Sequence, residues 1–170
     1  MDGYIELRTE SMKENKMQKK ALVTGASSGI GLAIAERLAQ EGYEVYGLGR
    51  DFSKGEYLQA DINCKVDKLN GDESHISTRF HKITCDLCNT TKLIESIQDI
   101  NKDHDISLLI NNAGVGYYGL HEELNPQKIS QMVRTNLEVP MIITNLLLRD
   151  LKKNAGIIVN TSSVTAGKSN

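Results

Sequence analysis

Ala21-Leu22-Val23-Thr24-Gly25-Ala26-Ser27-Ser28-Gly29-Ile30-Gly31 is the stretch that decides the fold of this chain. Ala21 to Thr24 is a short apolar run behind Lys19 and Lys20, the pattern of a buried strand. Three glycines follow, at positions 25, 29 and 31, and helical periodicity begins at once, with Ile30, Ile34 and Leu38 expected on one face. A strand that turns through glycines into a helix aims unpaired backbone N–H groups and the positive end of the helix dipole at one spot. That spot suits a phosphate. The glycines allow the sharp turn, a close approach to a pyrophosphate and tight packing of helix on strand. Their spacing, Gly-x-x-x-Gly-x-Gly, is one residue wider than the common Gly-x-Gly-x-x-Gly fingerprint, and a merely structural turn is the competing explanation.

Beyond this stretch the chain alternates strands and helices. Glu44 to Gly49 is the second strand, following Gly42, which ends the first helix as a C′ residue. At this strand's end a dinucleotide fold places an acid when it is to hold a ribose 2′-hydroxyl. Here Gly49 and then Arg50 stand instead. A guanidinium can pair with a 2′-phosphate, which favours NADP over NAD, although Asp51 is placed to neutralise Arg50 in part. Asp51 to Lys82 lacks a sustained pattern and carries the turn signal Asn70-Gly71-Asp72, so an irregular insertion is expected at about 51–80. Phe80 to Cys85 is the third strand, followed directly by Asp86, with Asn89 or Thr90 as alternative caps of a helix marked by Leu93, Ile97 and Ile100.

Ile106 to Ile110 is the fourth strand, a nearly continuous apolar run of the kind buried on both faces of a parallel sheet. It ends in Asn111-Asn112-Ala113-Gly114, whose small and amide residues let a ring approach the backbone. Asn125-Pro126 supplies an N-cap and a first-turn proline for a long helix. Its inward stripe is expected to include Ile129, Met132, Val133, Asn136, Val139 and Ile143, with a bend near Pro140. Asn136 is then an amide in an apolar stripe, and needs partners; the carbonyl freed by the bend is one candidate. Gly156 to Asn160 is the fifth strand, ending in Thr161-Ser162-Ser163.

The turn Thr24-Gly-Ala-Ser-Ser-Gly-Ile-Gly31 and the tetrapeptide Asn111-Asn-Ala-Gly114, each after an apolar strand, closely resemble motifs of the classical short-chain dehydrogenase/reductase family. The resemblance covers Lys19 to Asn170 and about the first two-thirds of a typical member. It implies a Rossmann-like doubly wound α/β domain over 19–170, with a parallel sheet in the order 3-2-1-4-5 cut off before the last strands; the polar, mixed-charge residues 1–18 ahead of it are expected to be a flexible leader. It implies that Gly25, Ser27, Ser28, Gly29, Ile30 and Gly31 cradle the cofactor, that Asp86 and Leu87 flank the adenine, and that Asn112, Ala113 and Gly114 lie along the nucleotide. It further implies hydride transfer between a nicotinamide and a small carbonyl or alcohol substrate. Ser163 would steady the substrate oxygen, and Asn136, at a helix kink, would hold a water of the proton relay. Intact members are expected to form homo-oligomers.

One departure is plain. The family's Tyr-x-x-x-Lys pair occurs nowhere in these 170 residues; Tyr117 and Tyr118 are followed four residues later by His121 and Glu122. The expectation is therefore a shortened chain of low activity, with the fifth strand as an uncovered apolar edge. A non-catalytic dinucleotide-binding or interaction module is the alternative. A methyltransferase fits less well, because Arg50 stands where an acid would hold the methyl donor's ribose.

The totals exclude other classes. A net charge of −2 gives no electrostatic case for nucleic acid or an anionic membrane surface. No apolar run approaches the roughly 18 residues of a membrane span. The polar opening residues do not resemble an export signal, and Met17 is a second candidate start. Cys64, Cys85 and Cys88 are odd in number, which favours reduced thiols and a cytoplasmic setting. Cys85-Asp86-Leu87-Cys88, with Cys64, His75 and His81 near it in sequence, matches a metal or redox spacing, but Asp86 is explained by adenine contact and no bound metal is expected.

Overall fold

The computed structural model describes residues 19–53, 79–117 and 119–163. The leader at 1–18, most of the expected insertion with Asn70-Gly71-Asp72, Cys64, His75 and Tyr118 lie outside these residues. Five strands, β1 (Lys20–Thr24), β2 (Glu44–Gly49), β3 (Phe80–Thr84), β4 (Ile106–Asn111) and β5 (Ile157–Asn160), form one sheet in the order β3-β2-β1-β4-β5. Every pairing is parallel, in the order and sense expected. The helices are α1 (Gly29–Gln40), α2 (Thr90–Ile100), α3 (Pro126–Val133) and α4 (Val139–Lys153), with a π-turn at Arg134–Glu138 joining the last two.

Alternate residues of β1 feed two cores, as the two-residue period of a strand requires. Ala21 and Val23 meet Ala35 and Ala39 of α1, while Leu22 packs with Leu93 and Ile97 of α2 and with Ile143 and Leu147 of α4. In β4 the alternation is interrupted by a register shift: Lys20 pairs with Ile106 but Ala21 with Leu108. The extra residue, Ser107, places Ile106 and Leu109 on the same face.

Two expected faces are corrected. On α1 the sheet side is lined by Gly31, Leu32, Ala35 and Ala39, whereas Ile30 is 67% exposed and Ile34 and Leu38 are only half-buried. A helix that enters straight from the strand lies so close to the sheet that small residues take the seam. The long helix expected from Asn125 does start where predicted, with the Asn125 carboxamide accepting from the Gln127 N–H at 2.8 Å and Pro126 in the first turn. Its inward stripe, however, does not run through. The π-turn, closed by the Val139 N–H on the Arg134 carbonyl five residues back, inserts one residue and rotates the face. Val133 and Asn136 turn outward, Ile129 and Met132 are half-buried, and the buried line becomes Thr135, Val139, Ile143, Leu147 and Leu151.

The edge strand is as open as expected: Ile157 is 61% exposed and Val159 is exposed too, leaving Ile158 to pack on the α2–α4 side. No helix among the described residues is long and apolar enough to cross a membrane.

Polar locks hold the amino ends of the strands. Lys20 reaches Asp105 at 2.7 Å, Asp103 at 3.5 Å and Glu44 at 3.8 Å; burial works against its ammonium, yet the hydrogen bond it donates to Asp105 and the nearby acids hold it well above the ordinary lysine value. Asp150 of α4 is only 6% exposed and accepts from the Asn101 carboxamide at 2.6 Å, with His104 Nδ1 at 3.0 Å. The His104 contact is the largest influence on Asp150, and it holds the carboxyl below its ordinary value of 3.8 in spite of burial. A folded-state value below the unfolded one means stability that is present above the unfolded value and is lost as pH falls through the folded one. The melting temperature of the parent should therefore drop more steeply below about pH 4 than that of Asp150→Asn, measured by circular dichroism across the acid range. At neutral pH Asp150→Ala should cost about 1–3 kcal/mol by leaving the Asn101 amide without its acceptor. Identical acid profiles for parent and Asp150→Asn would show that the lock carries no pH-dependent stability.

Candidate functional site

At the carboxyl edge of the sheet, order reverses between β1 and β4, the place where open α/β sheets leave a crevice for ligands. A groove of about 290 Å3 occupies it. One wall is the turn after β1, where Gly25 takes φ +69° so that the chain can leave the strand and enter α1. Ser28 is the extended residue before α1 and makes no side-chain cap, and no acid stands in the helix's first turn. The first N–H groups of α1 are thus left for a ligand, with the helix dipole behind them. Gly31 explains how closely the parts approach: a Cβ there would lie 2.2 Å from the Gly25 carbonyl oxygen and 2.4 Å from Asn112 Nδ2.

The second wall is the turn after β4. Asn112, Ala113, Gly114 and Val115 line the groove, fixed by a residue that the sequence pattern marked only as a strand end. Thr24 is 2% exposed, and its hydroxyl accepts the N–H groups of both Asn112 and Ala113 at 3.0 Å while donating to the Ile110 carbonyl at 3.4 Å. The Asn112 carboxamide returns a bond to the Thr24 carbonyl at 3.1 Å. The signal for Thr24 was available: a hydroxyl at the last position of a fully buried strand must find partners or pay for their absence.

The third wall joins β2, β3 and the helices. Arg50 lines the groove and is exposed; neighbouring Asp51 directs Oδ1 to the Ser53 N–H and hydroxyl, at 2.9 and 2.6 Å. Gly49 cannot simply be exchanged for an acid, since a Cβ there would lie 2.6 Å from Ser27 Cβ. Asp86 Oδ1 accepts the Cys88 N–H at 3.0 Å, and the cap of α2 is Asn89, whose side chain accepts from the Lys92 N–H at 3.1 Å. Leu87 is buried beside Asp86. Cys88 Sγ lies 3.4 Å from Thr135 Oγ1, and both residues line the groove with Gln131 of α3; Thr135 and Gln131 are contributors the motifs did not single out.

Of the expected site residues, Gly25, Ser27, Ser28, Ile30, Gly31, Arg50, Asp86, Leu87, Asn112, Ala113 and Gly114 meet at this one groove. Gly29 opens α1 with φ +58° and open space where a Cβ would stand. Asn136 and Ser163 are not part of its lining. Asn136 clamps Val115 instead, its Oδ1 accepting the Val115 N–H and its Nδ2 donating to the Val115 carbonyl, both at 2.9 Å. Its partner is therefore the turn after β4, not a carbonyl freed at Pro140. Ser163 is exposed and lies three residues past β5 on the same edge of the sheet. The cysteines face apart: Cys85 is buried, its thiol pushed up by burial and touched by the Ser96 hydroxyl at 3.9 Å, while Cys88 faces Thr135. No group of three metal-ligating side chains occurs among the described residues.

Residues 19–170 match the family described as short chain dehydrogenase. The chain is 34% identical over 154 residues to serine 3-dehydrogenase of Rhizobium radiobacter, covering 88% of this chain and 55% of that protein. Among solved structures it resembles a bulky-bulky ketone specific alcohol dehydrogenase of Comamonas testosteroni, with a TM-score of 0.72 and 30% identity over 89% of this chain and 57% of that one. A metagenomic short-chain oxidoreductase in complex with NADP is similar at a TM-score of 0.70 and 29% identity, over 89% and 64% of the two chains. The chain thus spans about half the length of the curated relatives it matches.

The bonds of Thr24 make a direct prediction. Thr24→Val keeps shape but leaves two backbone N–H groups without an acceptor, so it should destabilise the fold by about 2 kcal/mol or more in urea denaturation. Thr24→Ser keeps the hydroxyl and should retain most of the parent's stability. Equal midpoints for the valine and serine variants would show that the hydroxyl does not hold the turn.

Proposed function

This chain belongs to the short-chain dehydrogenase family, and on that footing we propose that it forms the cofactor-binding part of an NADP-dependent oxidoreductase acting on a small carbonyl or alcohol. The observation that carries the proposal is the groove itself. An uncapped helix N-terminus, a glycine that leaves no room for a Cβ and an exposed arginine converge where no carboxylate stands at the end of β2. These features fit NADP(H) well, and a similar chain has been solved with NADP. When bound, that cofactor supplies or accepts the hydride.

The roles of the chain's own residues follow from their chemistry. The first N–H groups of α1 would hold the pyrophosphate, and Arg50 would pair with the 2′-phosphate. Asp86 and Leu87 would border the adenine, and the backbone of Asn112 to Gly114 would run along the dinucleotide. Ser163 would donate to the substrate oxygen, and Asn136 would steady the turn that shapes this end of the site and hold a relay water. Free thiols at Cys85 and Cys88 agree with a reducing, cytoplasmic setting. The family's Tyr-x-x-x-Lys pair is absent from these 170 residues, and a serine hydroxyl such as that of Ser163 is by itself a poor proton source.

Two measurements test this. Calorimetry should show NADPH binding more tightly than NADH, and Arg50→Ala should weaken NADPH about tenfold while leaving NADH within about twofold. Equal affinities in the parent, unchanged in the variant, would remove the case for NADP. Ketone reduction by this polypeptide should run about 10²–10⁴ slower than by the same chain extended through a Tyr-x-x-x-Lys segment. Equal rates would mean that another residue, with Tyr117 first in line, delivers the proton. Tight dinucleotide binding without turnover in either chain would favour a binding module.

A further inference from the structure

We propose that Gln131 is a further nucleotide contact, donating its amide N–H to an acceptor nitrogen of the adenine, and that Tyr117 is the positioning residue that turns the amide to do so. This deepens the assignment of the groove to a dinucleotide and rests on it. Gln131 enters the groove from α3, an element that carries none of the family's motifs. Its carboxamide has one acceptor and one donor end. The Tyr117 hydroxyl donates to Oε1, which commits the acceptor end to the protein. Nε2, with its two hydrogens, has no partner among the described residues. Tyr117 is itself held, since Lys128 Nζ lies over its ring, 5.0 Å from the centroid.

The surroundings say which part of the nucleotide meets this donor. Gln131 and Thr135 are four residues apart and share a helix face. Thr135 touches Cys88, and the Cys88 N–H is bound by Asp86 Oδ1. Gln131 and Asp86 therefore lie on one continuous patch, with the Thr135 and Cys88 groups between them satisfied by each other. That patch offers an acceptor at Asp86, a donor at Gln131 and the buried side chain of Leu87 next to it. An adenine presents the matching set: an amino donor, ring-nitrogen acceptors and an apolar face. With Oε1 accepting from the Tyr117 hydroxyl, Nε2 is the end of the amide left to meet those ring nitrogens.

The experiment is calorimetric titration of the 170-residue chain with adenosine 2′,5′-bisphosphate, which carries the adenine half alone. Gln131→Leu and the isosteric Gln131→Glu should each weaken binding about tenfold, and Tyr117→Phe about threefold, with melting temperatures close to the parent's. Adding Tyr117→Phe to Gln131→Leu should weaken binding no further, because a positioning residue has no effect once its client is gone. Unchanged affinity in both Gln131 variants, with the parent binding normally, overturns the role of Gln131 and leaves the dinucleotide assignment standing. Additive losses in the double variant overturn the positioning role of Tyr117. A parent that binds neither this bisphosphate nor NADPH overturns the dinucleotide assignment, and the Gln131 contact with it.

Discussion

The hydroxyl of Thr24 is the contact on which the site depends. At the point where the sheet reverses order, β1 must lead into a helix on one side while β4 leads into a loop on the other, so the two strand ends part and expose backbone groups. A buried N–H without an acceptor costs about as much as a lost hydrogen bond. Thr24 answers two of them with one oxygen and donates to a third backbone group, Ile110. With the return bond from Asn112, the two turns behave as one piece. The clearance left by Gly31 makes sense only against this constraint, since the Gly25 carbonyl and the Asn112 amide both occupy the space of a side chain there.

The two ends of the sheet divide the labour. At the amino end the charged groups are paired, Lys20 with Asp105, Asp103 and Glu44, and Asp150 with Asn101 and His104, although Asn101 Oδ1 and Asp105 Oδ1 stay buried without a partner among the described residues. Asn154 adds bonds from its amide to the His104 and Ile106 carbonyls, closing the entry to β4. At the carboxyl end the helix N-terminus of α1 lacks a side-chain cap, and Gln131 offers a donor with no partner among the described residues. A protein that left both ends unmatched would be hard to keep folded. Stabilising one end permits the other to keep its polar groups for a ligand.

How much of this was legible in the sequence depended on how local the cause was. The central strands could be read because parallel strands buried on both faces are largely apolar runs, Ile106 to Ile110 being the clearest, whereas the strand order came from the family resemblance and not from any run. The α2 face of Leu93, Ile97 and Ile100 was also plain, because nothing interrupts its period. The α1 face was legible only in part: Ile34 and Leu38 pack against the core, but closeness to the sheet gave the seam to Gly31, Ala35 and Ala39 and left Ile30 exposed. The stripe through Asn136 failed because a π-turn changes the period by one residue without any single residue announcing it, Pro140 signalling only that some irregularity was near. Gln131 was invisible for a different reason. Its orientation comes from Tyr117, fourteen residues away and on the far side of a loop.

Asn136 then takes on a sense that neither its position in a periodic pattern nor its type supplies alone. Had the helix continued regularly, the amide would have entered the core and sought a partner there. The π-turn carries it outward, to a bidentate hold on Val115. The peptide from Asn112 to Val115 is thereby gripped at one end by Thr24 and at the other by Asn136, with Ala113 and Gly114 stretched between as a floor of small residues. Fixing both ends removes conformational freedom that a ligand would otherwise have to remove on binding, and preorganisation of that kind is a general route to affinity. It also links α3 and the π-turn mechanically to the floor. The wall that carries Gln131 and Thr135 and the floor beside it are therefore set by the same irregular turn, so that a change in the helix register would move both at once.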